Sequence, residues 1–451
     1  MKGVLNRIKP GKTEEKKLRE IAEELLSRVG EEMSKVDSRL RASLLGSVSR
    51  GTWLRDEKDL DIFVFFPLEY GRDFLEDVVT RLGRKVLTKP EKHYAEHPYV
   101  MGFYRGYEVE IVPCYAVEDP SELKSAVDRT PFHDAFVKSR IAGKEDEVRL
   151  LKQFLKGISC YGAEAKVEGF SGYLCELLIL KYGSFQKVLE EARYWRRGLV
   201  LSLEPVEDLE KVREMFTSPL IFIDPVDSRR NVASALSENN FSIFRYAARE
   251  YLRSPRREFF FPRQRKARKR DILEIYRIRG TSLLGVFFTK PDVLEDVLYT
   301  QGRKALRTLE GVLKRGGFRV LDTGFYVRGG VCMLFELESL VIPSLRLHHG
   351  PRDNPLHEER FLKKYRRYRD KLTEPFIREG RWAIYLRRRH THADACLREF
   401  LSNDLRRNGI PGHIARGMEE GHQVEEGEGV FRREFLRDIL EFLDPRFPWE
   451  V

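Results

Sequence analysis

Leu45-Gly-Ser-Val-Ser-Arg-Gly-Thr-Trp-Leu-Arg-Asp-Glu-Lys-Asp-Leu-Asp-Ile-Phe-Val-Phe-Phe66 is the stretch from which the fold of this chain is read. An apolar run ends at Gly46-Ser47, a turn that can present backbone N–H groups to a phosphate at the start of the next helix. Beyond an eleven-residue gap stand Asp59 and Asp61, followed by the apolar strand pattern of residues 62–66. Residues two apart in a strand share a face, so both carboxylates stand together while Leu60 and Ile62 point into a core. Two like charges held side by side are costly unless a cation sits between them, which argues for a divalent metal.

A second strand pattern, Tyr107-Glu-Val-Glu-Ile-Val112, places Glu108 and Glu110 on one face and Tyr107, Val109 and Ile111 on the other. If it neighbours the first, Glu110 completes a three-carboxylate cluster able to hold two Mg²⁺ ions. Such ions lower the pKa of an attacking hydroxyl and neutralise charge on a leaving pyrophosphate. The plainer alternative is that Asp-x-Asp only ends a loop and Glu110 faces solvent on an edge strand. The turn, the gap and the later carboxylate together favour the metal reading.

The 451 residues allow two to four domains. No run approaches the roughly 20 apolar residues of a membrane span, and the amino terminus lacks a signal-peptide core. Cys114, Cys160, Cys175, Cys332 and Cys396 are widely spaced with no Cys-x-x-Cys pair, which suits a reducing cytoplasm and argues against structural zinc. A net charge of +11 points to a polyanionic partner.

Apolar periodicity predicts helices over residues 14–35, 73–87 and 145–156, with strands in 40–66 and 98–118. Ser171 is a candidate N-cap for the apolar helix 173–182, which Gly183 ends. Asp227 is a candidate cap for a helix carrying Arg230, Asn231 and Val232. Residues 253–270 are dense in Arg and Lys beside three phenylalanines, and read as a domain junction, either an RNA backbone contact or a solvated basic linker. A second α/β region follows, opened by residues 271–277, with strands at 282–288, 318–327, 331–340 and 382–388, and helices at 304–314, 358–371 and 431–443. His390 and His392 lack further ligands at suitable spacing for a metal.

The chain resembles the nucleotidyltransferase superfamily that includes DNA polymerase β and, more closely, the archaeal (class I) CCA-adding enzymes. Besides the opening stretch, the resemblance rests on Tyr94-Ala-Glu-His-Pro-Tyr99, Val112-Pro-Cys-Tyr115, Ser125-Ala-Val-Asp-Arg-Thr-Pro-Phe-His133, Gly169-Phe-Ser-Gly-Tyr-Leu-Cys-Glu176, Asp224-Pro-Val-Asp227 and Arg230-Asn-Val-Ala233. One departure is the third acid, Glu110, where the family more often has Asp. The resemblance implies an α+β polymerase β-like head with a short mixed sheet (1–142), a helical neck for nucleotide selection (143–257), and a C-terminal α/β body and tail that bind tRNA (258–451). It implies addition of CCA to tRNA from CTP and ATP, Mg²⁺ as cofactor, no membrane, and a homodimer.

It also implies roles for single residues. Asp59, Asp61 and Glu110 hold the metals; Ser47 and Arg50 contact phosphates; Thr130 and His133 lie near sugar and phosphates; Lys152 and Tyr161 contact the triphosphate. Without the resemblance, Lys152 on a helix margin would snorkel to solvent and His133 would be an ordinary structural histidine. Arg230 is expected to work with tRNA phosphates in choosing the base. Cytosine and adenine both offer an amine donor beside a ring-nitrogen acceptor, and an arginine has only donors, so an acceptor must come from elsewhere. The rival expectations are a poly(A) polymerase or other nontemplated transferase, and an inactive RNA-binding relative.

Overall fold

Buried apolar residues at helical spacing over 12–34 and 72–86, and the apolar runs of 60–66 and 107–115, set the amino-terminal architecture. The computed structural model describes residues 1–94, 98–206, 208–352 and 354–451. Two compact units result, one of residues 1–264 with 447–451 and the other of residues 265–446.

The first unit runs α1 (Lys2–Ile8), α2 (Lys12–Ser34), β1 (Arg41–Leu45), α3 (Gly46–Ser49), β2 (Leu60–Phe66), α4 (Arg72–Val86), β3 (Thr88–Tyr94), β4 (Pro98–Tyr104) and β5 (Tyr107–Tyr115). These strands form one mixed sheet, ordered β1-β2-β5-β4-β3, in which only β2 and β5 pair in parallel. Leu18, Ile21, Leu25 and Val29 of α2, with Val78, Val79 and Leu82 of α4, cover Leu60, Ile62, Val64, Val109 and Ile111 on one sheet face. Burying each such aliphatic side chain contributes about 1.5–3 kcal/mol. On the opposite face Leu45, Phe63, Val112 and Cys114 form a smaller cluster. Asp61 and Glu110 belong to that second face, as their alternation requires.

The chain continues through α5 (Thr130–Lys138), α6 (Glu145–Gly157), α7 (Gly172–Tyr182), α8 (Phe185–Ala192), β6 (Leu199–Leu201), α9 (Leu209–Met215), β7 (Leu220–Phe222) and α10 (Glu238–Arg253). Val4, Leu54, Val137 and Ile141 pack into the core that α6, α7, α8 and α10 build, so residues 1–142 and 143–257 lie in a single compact unit. Ser171 caps α7, accepting from Leu174 N at 3.1 Å, and Gly183 ends it at φ 88°. The boundary between the two units falls between Gln264 and Arg265, inside the junction expected over 253–270. Within that stretch Phe259 and Phe260 are core residues packed on Phe154 and Tyr251, so this part is not a solvated linker. One expectation fails: Asp227 does not cap a helix, because the segment after it closes into a turn, with Arg230 N–H donating to Asp227 C=O.

The second unit comprises α11 (Lys269–Arg279), β8 (Ser282–Phe288), α12 (Glu295–Gly316), β9 (Val320–Val327), β10 (Val331–Leu337), β11 (Leu345–His349), α13 (Pro355–Arg366), β12 (Phe376–Arg378), β13 (Arg381–Arg387), α14 (Ala393–Leu401), α15 (Gly412–Glu419), β14 (His422–Glu426) and α16 (Leu436–Leu443). It holds a four-stranded antiparallel sheet, β14-β8-β10-β9, and a three-stranded one, β11-β13-β12. Helix α13 ends at Arg366, short of the expected 371, and α16 begins only at Leu436. Among the described residues no helix is long and apolar enough to cross a membrane. The five cysteines are buried and free.

Candidate active site

Register decides the acidic cluster. In the parallel pairing of β2 with β5, Asp61 lies opposite Glu110, with Leu60 opposite Val109 and Ile62 opposite Ile111. The two carboxylates therefore leave the same sheet face from adjacent strands, and Asp59 precedes β2 at the exposed mouth. Gly46, at φ +80°, lies directly beneath: a Cβ there would come 1.8 Å from Asp61 Oδ2. A turn made by a residue without a side chain is what lets the backbone approach the acid.

Burial, then Asp59, pushes the Asp61 carboxyl up to about 6. Burial, then Asp61 and Asp59, pushes Glu110 up to about 7. Asp59 is raised as well, by desolvation and then by Glu108 and Glu57. Among the described residues no three His, Cys, Asp or Glu side chains converge tightly enough to grip an ion as they stand.

The raised values have a signed consequence. In the unfolded chain both acids release their protons near the ordinary carboxylate range, whereas the native protein holds them until about 6 and about 7. The native state therefore binds more protons across that window, and its stability falls as pH rises through it. In chelator, wild type is expected to lose stability between about pH 5 and about pH 8, and Glu110→Gln to lose about 1–3 kcal/mol less. Denaturant melts at the two pH values measure the difference; parallel slopes for the two proteins would contradict it.

Beside the acids runs a buried ladder of charge. Arg50 Nε donates to Glu176 Oε1 at 3.0 Å and Nη1 to Asp134 Oδ1 at 3.0 Å. Ser49 Oγ bonds Asp134 Oδ2 at 3.1 Å, and Thr52 Oγ1 donates to Glu176 Oε1 at 2.5 Å. Lys152, 1% exposed, donates from Nζ to Thr52 O at 3.2 Å and to Thr52 Oγ1 at 3.4 Å. Gly172 leaves room for the heads of two side chains, since a Cβ there would lie 3.2 Å from Tyr161 Oη and 3.5 Å from Lys152 Nζ. Both Arg50 and Lys152 act on Asp61, lowering its pKa against the burial and the acids that raise it.

A third group surrounds Asp224. His133 Nε2 lies 2.8 Å from Asp224 Oδ2, and Arg230 Nη1 donates to the same oxygen at 2.7 Å. The loop leading to His133 is fixed by Asp128, which accepts from the N–H groups of Tyr115, Lys124 and Ser125 at 2.8, 3.1 and 2.7 Å.

Residues 18–133 match the nucleotidyltransferase domain family, residues 146–261 the second domain of tRNA nucleotidyltransferase, and residues 279–427 the C-terminal domain of the CCA-adding enzyme. The chain is 37% identical over 441 residues to the CCA-adding enzyme of Archaeoglobus fulgidus, covering 97% of each. It is 38% identical over 439 residues to that of Methanosarcina barkeri, covering 95% of this chain and 94% of that one. The chain belongs to the CCA-adding enzyme family. The enzyme of Methanocaldococcus jannaschii is similar at 37% over 431 residues, covering 92% of this chain and 93% of its own.

Against the expectations for a CCA-adding enzyme, the structure brings Asp61 and Glu110 together in register, and Ser47 follows Gly46 in α3 beside them. Thr130 opens α5, which carries His133 and Asp134 inward. Lys152 does not snorkel: the backbone carbonyl and hydroxyl of Thr52 hold its ammonium inside. Arg50 pairs with Asp134 and Glu176, its side chain 9% exposed, and so braces the turn that carries Ser47. Residues 95–97 of the Tyr94–Tyr99 motif lie outside the described residues. The sequence reading gave no role to Thr52, Asp134, Glu176 or Asp224. One signal was available, a lone glutamate within the apolar helix 173–182, since a charge in such a run is buried only when paired.

Proposed function

We infer that this chain adds C, C and A in turn to the 3′ end of tRNA from CTP and ATP, releasing pyrophosphate without a nucleic-acid template. The observation that carries the reading is the in-register Asp61–Glu110 pair above the Gly46 turn, in a chain similar to CCA-adding enzymes over nearly its whole length. Asp59, Asp61 and Glu110 are the residues that would hold Mg²⁺. Their hard oxygen donors suit that ion, and their mutual repulsion is relieved by a cation. When bound, a pair of such ions supplies charge neutralisation at the phosphates and a more acidic attacking hydroxyl.

The chain's own groups do the rest. Lys152 has three N–H donors and both of its acceptors lie on Thr52, which leaves a donor for a triphosphate oxygen. Tyr161 stands beside it, and the Gly46-Ser47 turn offers backbone N–H groups to phosphate. Thr130 and His133 lie toward the sugar. Arg230, whose side chain is 35% exposed, reaches the base together with tRNA phosphates. Residues 1–142 act as the transferase head and 143–257 as the selecting neck. Residues 258–451 grip tRNA by shape and phosphate, because A-form RNA hides its major-groove edges. The buried free cysteines agree with a cytoplasmic setting, and the family resemblance supports a homodimer.

Incubating tRNA that lacks CCA with each labelled nucleotide tests the activity. CTP alone is expected to add two residues and CTP with ATP to complete CCA and stop. Unlimited addition from ATP alone would assign a poly(A) polymerase, and no release of pyrophosphate under any condition would assign an inactive relative.

A further inference from the structure

Asp224 sits where three chain segments meet. Its side chain is 0% exposed. Oδ2 receives Arg230 Nη1 at 2.7 Å and faces His133 Nε2 at 2.8 Å; Oδ1 accepts from Val226 N at 3.0 Å and from Tyr173 Oη at 3.4 Å. The Tyr173 ring stacks on the His133 imidazole with centroids 4.2 Å apart. The loop is closed at its base as well. Asp224 N–H donates to Arg230 C=O at 3.1 Å, and Arg230 N–H to Asp227 C=O at 2.9 Å. Asp227 in turn accepts from Arg129 Nε at 3.0 Å. Backbone and side chain of Arg230 therefore both return to the same residue.

An arginine side chain is long and mobile, and a guanidinium free to swing donates equally well to the oxygen of a wrong base. Discrimination requires its donors at one place. We propose that Asp224 is a positioning residue for base selection: its buried carboxylate holds Arg230 and His133 in fixed orientation and so sets which nucleotides the site accepts. Burial alone would raise the Asp224 carboxyl, but hydrogen bonds and charge from His133, Val226 N–H and Arg230 hold it below the usual range. An ionised carboxylate only accepts, so His133 Nε2 carries a proton and Nδ1 is the nitrogen left to face other groups. Asp224 itself is enclosed, so its effect on the base runs through Arg230 and His133.

The inference rests on the reading of Arg230 as a selecting residue, and the test separates the two. The ratio of kcat/KM for CTP to that for UTP is measured on tRNA lacking CCA, for wild type, Arg230→Ala, Asp224→Asn and the double variant. The ratio is insensitive to the fraction of folded enzyme, so a merely structural role leaves it unmoved. Asp224→Asn is expected to lower it about tenfold or more, Arg230→Ala to a similar level, and the double variant no further. A ratio within twofold of wild type in Asp224→Asn, with Arg230→Ala reduced, would overturn the positioning role alone. An unchanged ratio in Arg230→Ala would overturn the selecting role and this inference with it. Should Asp224→Asn not fold, the ¹⁵N shifts of His133 in wild type decide: a protonated Nε2 is expected, and a bare Nε2 would overturn the assignment.

Discussion

Asp61→Asn is expected to cut nucleotide incorporation by about 10³-fold or more while leaving tRNA affinity within about threefold and making the metal-free protein more stable at about pH 8. The first effect follows from removing a central oxygen donor of the acidic cluster. The second follows from the position of Asp61 on the first unit's sheet, among residues assigned to metal and triphosphate. The third follows from the electrostatics. Asp61 sits in partly desolvated surroundings beside Asp59, with its carboxyl raised from 3.8 to about 6. Replacing it with a neutral amide removes a cost of about 1–3 kcal/mol once the pH is above that value. Damage by misfolding would lower activity and stability together. Primer extension, a filter-binding isotherm and a denaturant melt in chelator read the three effects, and retained turnover would refute the role of Asp61.

Arg50→Ala has the largest expected effect on stability, a loss of about 3–5 kcal/mol in the first unit. Its guanidinium bridges Asp134 and Glu176, whose side chains are 6% and 0% exposed. Removing it leaves two buried carboxylates without that cation near Asp61. Arg50→Lys is expected to recover little, because one ammonium cannot present the fork that reaches both acids. Combining Arg50→Met with Glu176→Gln is expected to recover more than either exchange alone, since it removes charge on both sides. Denaturant melts of wild type and these five variants measure this; a loss below about 0.5 kcal/mol for Arg50→Ala would show the ladder to be dispensable.

Much of this was legible before any coordinates. Alternation over residues 60–66 and 107–112 gave the two acid-bearing strands and the face of each carboxylate, and the spacing of Leu18, Ile21, Leu25 and Val29 gave the helix that covers the other face. What alternation cannot give is register. That Asp61 meets Glu110, and not Glu108, depends on a parallel pairing between distant segments. Helix periodicity alone puts Lys152 at an outward margin and only the family resemblance draws it to the site, because the acceptor that holds it inside is a backbone carbonyl from another segment. Phe259 and Phe260 were masked by the arginines around them. Asp227 looked like a helix cap because Asp caps so many helices, yet the residues after it are held in a turn by Asp224 and Arg230. Helix α10 escaped notice because its first turn reads Glu-Asn-Asn, and Asn240 is buried there with its amide donating to the carbonyls of Val167 and Glu168.

Acids from neighbouring strands that share divalent ions are the core of the proposed chemistry. Anomalous diffraction from crystals grown with Mn²⁺ and CTP tests this most directly. The expected result is manganese density within coordination distance of Asp59, Asp61 and Glu110 together, lost in Asp61→Asn. Manganese bound elsewhere in the first unit, with Glu110 left outside its coordination sphere, would contradict it.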